Sequence, residues 1–147
     1  MASCVRKPSA LRRRSSGSVT VVFLDKNAAI GELRECAEIL VREDSRALAV
    51  GVFGSLARGD AVPSSDADVL IVLSGHEQKR WFDRIPEYGD FFAGTSLAVE
   101  PFPYVIDEIR NMLKHVGFMR TAVRELLPLA GDPQIFQQLQ EEISIAE

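Results

Sequence analysis

The chain has 147 residues, of which 46% are hydrophobic and 26% charged, and its formal net charge is −4. This length and composition predict one globular domain with a buried core and exclude a disordered or fibrous protein. No apolar run approaches the roughly 20 residues that span a bilayer, so we expect no membrane association.

The first 18 residues carry five Lys and Arg and no acid, and they lack the apolar segment of a secretory signal. We expect a disordered basic leader over residues 1–18, either natural or an over-extended start, followed by one domain over 19–147. Without those five cations the net charge of the remainder is −9. A domain this acidic is a poor generic binder of nucleic acid, because that affinity comes mainly from cations that neutralise phosphates.

Three strand-like apolar runs occupy the N-terminal half, at 19–24, 47–53 and 67–73. Between the first two, apolar residues at helical spacing predict a helix that begins after a cap at Asp25 or Asn27 and ends near Arg42. Cys4 and Cys36 lack metal-ligand spacing, which predicts two isolated thiols and a reducing cytoplasm.

The C-terminal half begins with a polar and aromatic segment at 78–92, which contains Pro86 and is either a helix or a mobile flap. A third strand is predicted at 97–102, where Pro101 and Pro103 stop the pairing and favour a sheet edge. Amphipathic helices are predicted at 105–116, after Gly117 and at 134–145.

The most informative pattern lies at 50–73. One strand ends in Gly54-Ser55, ten residues intervene, and Asp66-Ala67-Asp68 opens the next strand. Residues two apart on a strand share a face, so Asp66 and Asp68 are expected to project together. Two carboxylates aimed at one point repel each other unless a cation lies between them, which predicts a Mg²⁺–nucleotide site. The alternative, a polar hairpin loop with two solvated aspartates, does not explain why Asp68 interrupts an apolar run.

This pattern resembles that of the minimal nucleotidyltransferases of the DNA-polymerase-β-like superfamily. The resemblance covers 19–132 and implies an α+β fold, with a small mixed sheet flanked by helices. The positions that match the family pattern are Gly54, Ser55, Ala57, Arg58, Gly59, Ser65, Asp66, Asp68 and, as the third acid, Glu100.

Glu100 departs from the family, whose members usually carry Asp at this position. Glutamate is one methylene longer, and Mg²⁺ demands near-ideal octahedral geometry. Glu100 is therefore either the third metal ligand or a polar residue that closes an edge strand. Asp107 and Glu108 are alternative third acids, although acids at a helix start also suit the helix dipole.

The resemblance implies two Mg²⁺ ions, held by Asp66, Asp68 and Glu100, with ATP as the substrate. Gly54 and Ser55 would cradle its phosphates. Arg58 either clamps a phosphate or forms an ion pair with Asp60 or Asp66. Ser65 either binds phosphate or caps the turn before Asp66.

The family also implies a partner, a separately encoded HEPN-domain toxin that the nucleotidyltransferase adenylylates as its antitoxin. A second hypothesis is a catalytically weak or inactive module that neutralises the same partner by binding alone. Glu100 favours the second hypothesis. The intact Gly54, Ser55, Asp66 and Asp68 favour the first.

Overall fold

A computed structural model describes residues 9–146 of the chain. Its strands are β1 (Leu11–Ser16), β2 (Val19–Leu24), β3 (Ala47–Phe53), β4 (Ala67–Leu73), β5 (Val99–Val105) and β6 (Leu127–Gly131). Its helices are α1 (Lys26–Glu43), α2 (Ser55–Arg58), α3 (Ile85–Gly89), α4 (Ile106–His115), α5 (Gly117–Glu125) and α6 (Pro133–Ala146). Within residues 9–146, no helix combines the length and the apolar character needed to cross a membrane.

A four-stranded mixed sheet in the order β5-β4-β3-β6 forms the centre of the fold. β3 is antiparallel to both β4 and β6, whereas β4 and β5 are parallel. The two central strands are buried along almost their whole length, which explains their nearly continuous apolar sequences. The strands predicted at 47–53 and 67–73 are confirmed.

Helices cover both faces of this sheet. On β4, Val69 and Ile71 point to the side packed by α1, while Leu70 and Val72 point to the side packed by α4, α5 and α6. The α+β class with a small mixed sheet flanked by helices is therefore confirmed. Asp68 lies two residues before Leu70, so its side chain belongs to the face that α5 covers.

The edge position predicted for β5 is confirmed, but its two prolines do not stop the pairing. β5 runs beside β4 from Val99 to Val105. The carbonyl of Pro103 accepts a hydrogen bond from Arg84, so this residue's backbone faces away from β4. Since alternate residues of a strand share this direction, Pro101 and Pro103 lack their N–H groups only on the open edge.

Residues 11–16 contradict the expected disordered leader, because they form β1 and pair with β2 in a hairpin. The base of this hairpin is fixed to the domain: Ala10 is fully buried, and its N–H donates to the buried carboxylate of Glu32 at 3.0 Å. A run of arginines does not predict a strand by itself, and only the pairing with Val19–Leu24 explains why these residues form β1. Residues 1–8, the rest of the expected leader, lie outside the described residues.

Three other differences from the sequence analysis concern the segment at 78–92, the strand β6 and the cysteines. The segment at 78–92 is not one helix: it consists of the short helix α3 flanked by two 3-10 turns, and Arg84 and Tyr88 are buried in it. β6 was not predicted at all, because it is only five residues long and contains both Pro128 and Gly131. Cys36 is buried in α1 and is disulfide-bonded, so the prediction of isolated thiols is wrong for this residue and no longer supports a reducing compartment.

An ion-pair network joins the end of α1 to α3. Asp44 accepts from the Arg46 guanidinium at 3.0 and 3.1 Å and from the hydroxyl of Tyr88 at 2.6 Å. Burial acts to raise the pKa of Asp44, but the hydrogen bonds from Arg46 and Tyr88 outweigh it and hold that pKa below its ordinary value. The ionised carboxylate therefore stabilises the folded state.

We expect Asp44→Asn to lower the free energy of unfolding by about 2 kcal/mol near neutral pH, because buried donors lose a charged acceptor. The lowered folded pKa means that this stabilisation is complete above the ordinary pKa of about 4 and is lost as the pH falls through the folded value. Urea unfolding at a series of pH values should show that the unfolding free energies of the wild type and of Asp44→Asn converge in acid. Glu77→Gln is the control, because Glu77 also pairs with Arg46 but its side chain is 71% exposed; a loss as large as that of Asp44→Asn would contradict the burial argument.

Candidate active site

The strand directions bring four chain segments to one end of the sheet. β3 ends at Phe53, which lies opposite Asp68 at the start of the antiparallel strand β4. Glu100, near the start of β5, lies beside Asp68 because these strands are parallel and in register. β6 starts opposite Val52, so the end of α5, just before it, reaches the same place.

A cleft of about 580 Å³ opens at this end of the sheet. All seven residues predicted for the site line it: Gly54, Ser55, Arg58, Ser65, Asp66, Asp68 and Glu100. Five further lining residues were not predicted: Phe53 and, from α5, Phe118, Thr121, Ala122 and Glu125.

Asp68 is the electrostatic centre of the cleft. Partial burial, a hydrogen bond with Glu100 and the negative charges of Glu100 and Asp66 raise the pKa of Asp68 to about 6, against the opposing effect of Arg58. A cation bound among the carboxylates would relieve this repulsion. The donors are all hard oxygens, which suits Mg²⁺, so the residues present fit the ion that the family implies.

Gly54 places the turn after β3 directly against Asp68. Its backbone has φ of 78° and ψ of −154°, a conformation that is essentially restricted to glycine. A Cβ at this position would overlap Oδ2 of Asp68. Glycine therefore serves two purposes, because it makes the turn possible and lets the backbone approach the carboxylate closely.

Arg58 is held by two acids at the mouth of the cleft. Its Nη1 donates to both carboxylate oxygens of Glu125, at 3.1 and 3.2 Å, and its Nε lies 3.4 Å from Oδ2 of Asp60. These hydrogen bonds raise the pKa of Arg58, the one from Glu125 most of all. The ion pair foreseen with Asp60 is present. The stronger contact, with Glu125, was not foreseen.

Ser65 has a clear structural role. Its Oγ accepts from the N–H of Val62 at 2.9 Å, and its own N–H donates to the Val62 carbonyl. It therefore closes the turn before Asp66, as the capping alternative described, while it also borders the cleft.

Aromatic rings form the apolar end of the cleft. Phe53 and Phe102 lie with their centroids 5.3 Å apart, and Phe118 contacts both at 5.8 and 5.7 Å. Phe118 nevertheless remains 48% exposed. One exposed ring, packed against the buried Phe53 and the partly buried Phe102, thus lines the cleft.

The alternative third acids have other positions. Asp107 is 89% exposed and pairs weakly with Arg110 on its own helix. Glu108 accepts from the buried Arg84 guanidinium at 2.7 Å and from the Val105 N–H, so it fixes the start of α4. Neither lines the cleft, and Glu100 does.

Among residues 9–146, one group of three possible metal ligands has ligand atoms that all lie within 4.8 Å of one another, and it is not the cleft carboxylates but His76, Glu77 and Glu87. Arg46 already donates to both carboxylates at 2.5 Å, and His76 hydrogen-bonds Glu87 at 2.8 Å. The carboxylates are therefore neutralised by a side chain, and the group belongs to the network around Asp44.

Comparison with known proteins places this cleft in a family. The model of the nucleotidyltransferase domain family matches residues 33–140, which include every residue predicted for the site. No curated protein matches the chain.

Two solved structures are similar in part. One is a protein of Sulfolobus solfataricus described as a "putative nucleotidyltransferase", with 28% identity over 56% of this chain and 72% of the other, at a TM-score of 0.48. Another is a toxin-antitoxin structure with AMP-PNP, with 15% identity over 83% of this chain and 86% of the other, at a TM-score of 0.49. The family match, which spans most of the chain, is the finding that decides its assignment. The chain belongs to the nucleotidyltransferase domain family.

Proposed function

We propose that the protein transfers a nucleoside monophosphate, AMP from ATP, to an acceptor hydroxyl in a Mg²⁺-dependent reaction. The observation that carries this proposal is the cleft itself, where Asp66, Asp68 and Glu100 face the turn at Gly54 and Ser55. The family match makes nucleotidyl transfer the expected chemistry.

Each side chain has a task in this proposal. Asp66, Asp68 and Glu100 would hold the metal, which supplies charge stabilisation on the phosphates when bound. Gly54 and Ser55 would hold the triphosphate, with Arg58 at the mouth of the cleft. Ser65 would keep the turn before Asp66 in place.

The reaction forms one bond and breaks one. The acceptor oxygen attacks the α-phosphorus, the bond from that phosphorus to the bridging α–β oxygen breaks, and pyrophosphate leaves. Glu100 is the candidate acceptor of the hydroxyl proton, because it lies beside Asp68 and is open to solvent from the cleft.

For the acceptor we propose a HEPN-domain toxin, with this protein as its antitoxin. The support is the Gly-Ser and Asp-x-Asp pattern, which resembles that of the minimal nucleotidyltransferases paired with such toxins. With ATP as the proposed substrate, we also propose that the reaction takes place in the cytoplasm.

The test uses ATP carrying a radioactive label at either the α- or the γ-phosphate, with Mg²⁺, the protein and a lysate of its host. We expect only the α label to reach an acceptor, and the labelled band identifies that acceptor. Transfer of the γ label would show a kinase and contradict the mechanism. Equal labelling with the Asp66→Asn/Asp68→Asn variant would show that this cleft is not responsible.

A further inference from the structure

Glu125 is hydrogen-bonded to two donors that could otherwise bind a phosphate, the Gly54 N–H and the Arg58 guanidinium. Its Oε1 accepts from the backbone N–H of Gly54 at 2.9 Å, while both oxygens accept from the Arg58 guanidinium. A backbone N–H after a strand and a guanidinium are also typical donors to phosphate oxygens. The carboxylate therefore takes the chemical place of an anionic ligand.

The position of Glu125 shows that this contact is part of the cleft and not a surface ion pair. Its side chain is only 18% exposed, against 48% for Arg58 and 65% for Asp60. It lies on the face of α5 that lines the cleft, together with Thr121 and Ala122. Partial burial of a carboxylate costs desolvation energy, which here the Gly54 N–H and Arg58 offset.

A triphosphate and this carboxylate cannot share the donors without a cost. Both are anions, and Asp66, Asp68 and Glu100 also line the cleft. A nucleotide that binds Gly54 and Arg58 must therefore displace Glu125 or accept its repulsion.

We propose that Glu125 acts as an internal competitor for the phosphate-binding donors of this cleft and thereby lowers the affinity for the nucleotide. The proposal rests on the proposed function, since it concerns the same site. In the absence of nucleotide, the carboxylate keeps Gly54 and Arg58 in place; on binding, the phosphates replace it.

The test measures binding of Mg²⁺ with α,β-methylene-ATP, in which the bond that transfer would break is not cleavable, and with inorganic triphosphate. Glu125→Gln keeps the shape and one acceptor for Gly54 but removes the charge. We expect it to bind both probes about five- to tenfold more tightly than the wild type, the scale of one partly exposed charge pair. Glu125→Ala should act in the same direction.

Two controls make the result specific. Asp60→Asn removes a charge that also pairs with Arg58 but does not contact Gly54, and we expect a change below about twofold. In an Arg58→Ala background the gain from Glu125→Gln should become smaller, because the contested donor is gone.

Weaker or unchanged binding by Glu125→Gln would overturn the proposal, and so would an equal gain from Asp60→Asn, which would indicate a general charge effect. Binding and transfer are measured separately. A tenfold gain in binding without any transfer of label would contradict the proposed function alone, whereas unchanged binding with intact transfer would contradict only the competition.

Discussion

The Asp66→Asn/Asp68→Asn variant is expected to transfer nucleotide at least about 10³-fold more slowly than the wild type, a loss of about 4 kcal/mol of transition-state stabilisation. Both side chains line the cleft, and Asp68 stands between Glu100 and the turn at Gly54. Asparagine keeps the shape but removes the charges that would hold the metal. Steady-state transfer of the α label to the acceptor measures the loss.

The same substitution is expected to keep the fold or stabilise it. The raised pKa of Asp68, about 6, means that ionising this carboxylate opposes folding. This destabilisation is absent below the ordinary pKa of about 4, grows between the two values and is complete above the folded one. Because the side chain is partly solvated, we expect Asp68→Asn to raise the metal-free unfolding free energy by only about 1 kcal/mol near neutral pH. Thermal unfolding without Mg²⁺ checks this.

Asp107→Asn is the matched control, because Asp107 was the alternative acid and is fully solvated at the start of α4. It should retain transfer within about twofold.

The double variant also separates the two hypotheses for the partner. If toxicity of a HEPN partner is still fully suppressed by Asp66→Asn/Asp68→Asn, then neutralisation occurs by binding and not by catalysis.

The sequence was sufficient to predict one half of the cleft. Gly54, Asp66 and Asp68 lie at the ends of strongly apolar strands, so local spacing alone brings them together. Glu100 needed the family resemblance, because its place beside Asp68 depends on the register of two parallel strands that are far apart in the sequence.

The other half of the cleft comes from α5 and could not be read from local patterns. Glu125 looks like an ordinary polar residue at a helix end, and its partners Gly54 and Arg58 are about 70 residues away. Glu125 reaches the cleft only because β6 starts at that end of the sheet, and β6 itself was not predicted. The available signal was an acid directly before a short strand, which is too common to select a site.

A second large effect is expected from Gly54→Ala, for two separate reasons. Alanine has to adopt a backbone conformation that is nearly restricted to glycine, which costs about 1–3 kcal/mol. Its Cβ would also displace the carboxylate of Asp68 from its position beside Glu100. We expect unfolding to become easier by about 3 kcal/mol in total and transfer per folded molecule to fall by at least about 10²-fold.

Two other glycines with positive φ separate these contributions. Gly59 has φ of 90° but open space around it, so Gly59→Ala should cost only about 1 kcal/mol of stability and leave transfer nearly intact. Gly131 has φ of 86° and a Cβ there would overlap the Leu48 carbonyl, but it pairs with Ala49, about 13 Å along β3 from the cleft. Gly131→Ala should therefore destabilise the fold at least as much as Gly54→Ala and yet retain transfer per folded molecule. If all three variants lose transfer only in proportion to their folded fraction, then the close approach of Gly54 to Asp68 has no part in the chemistry.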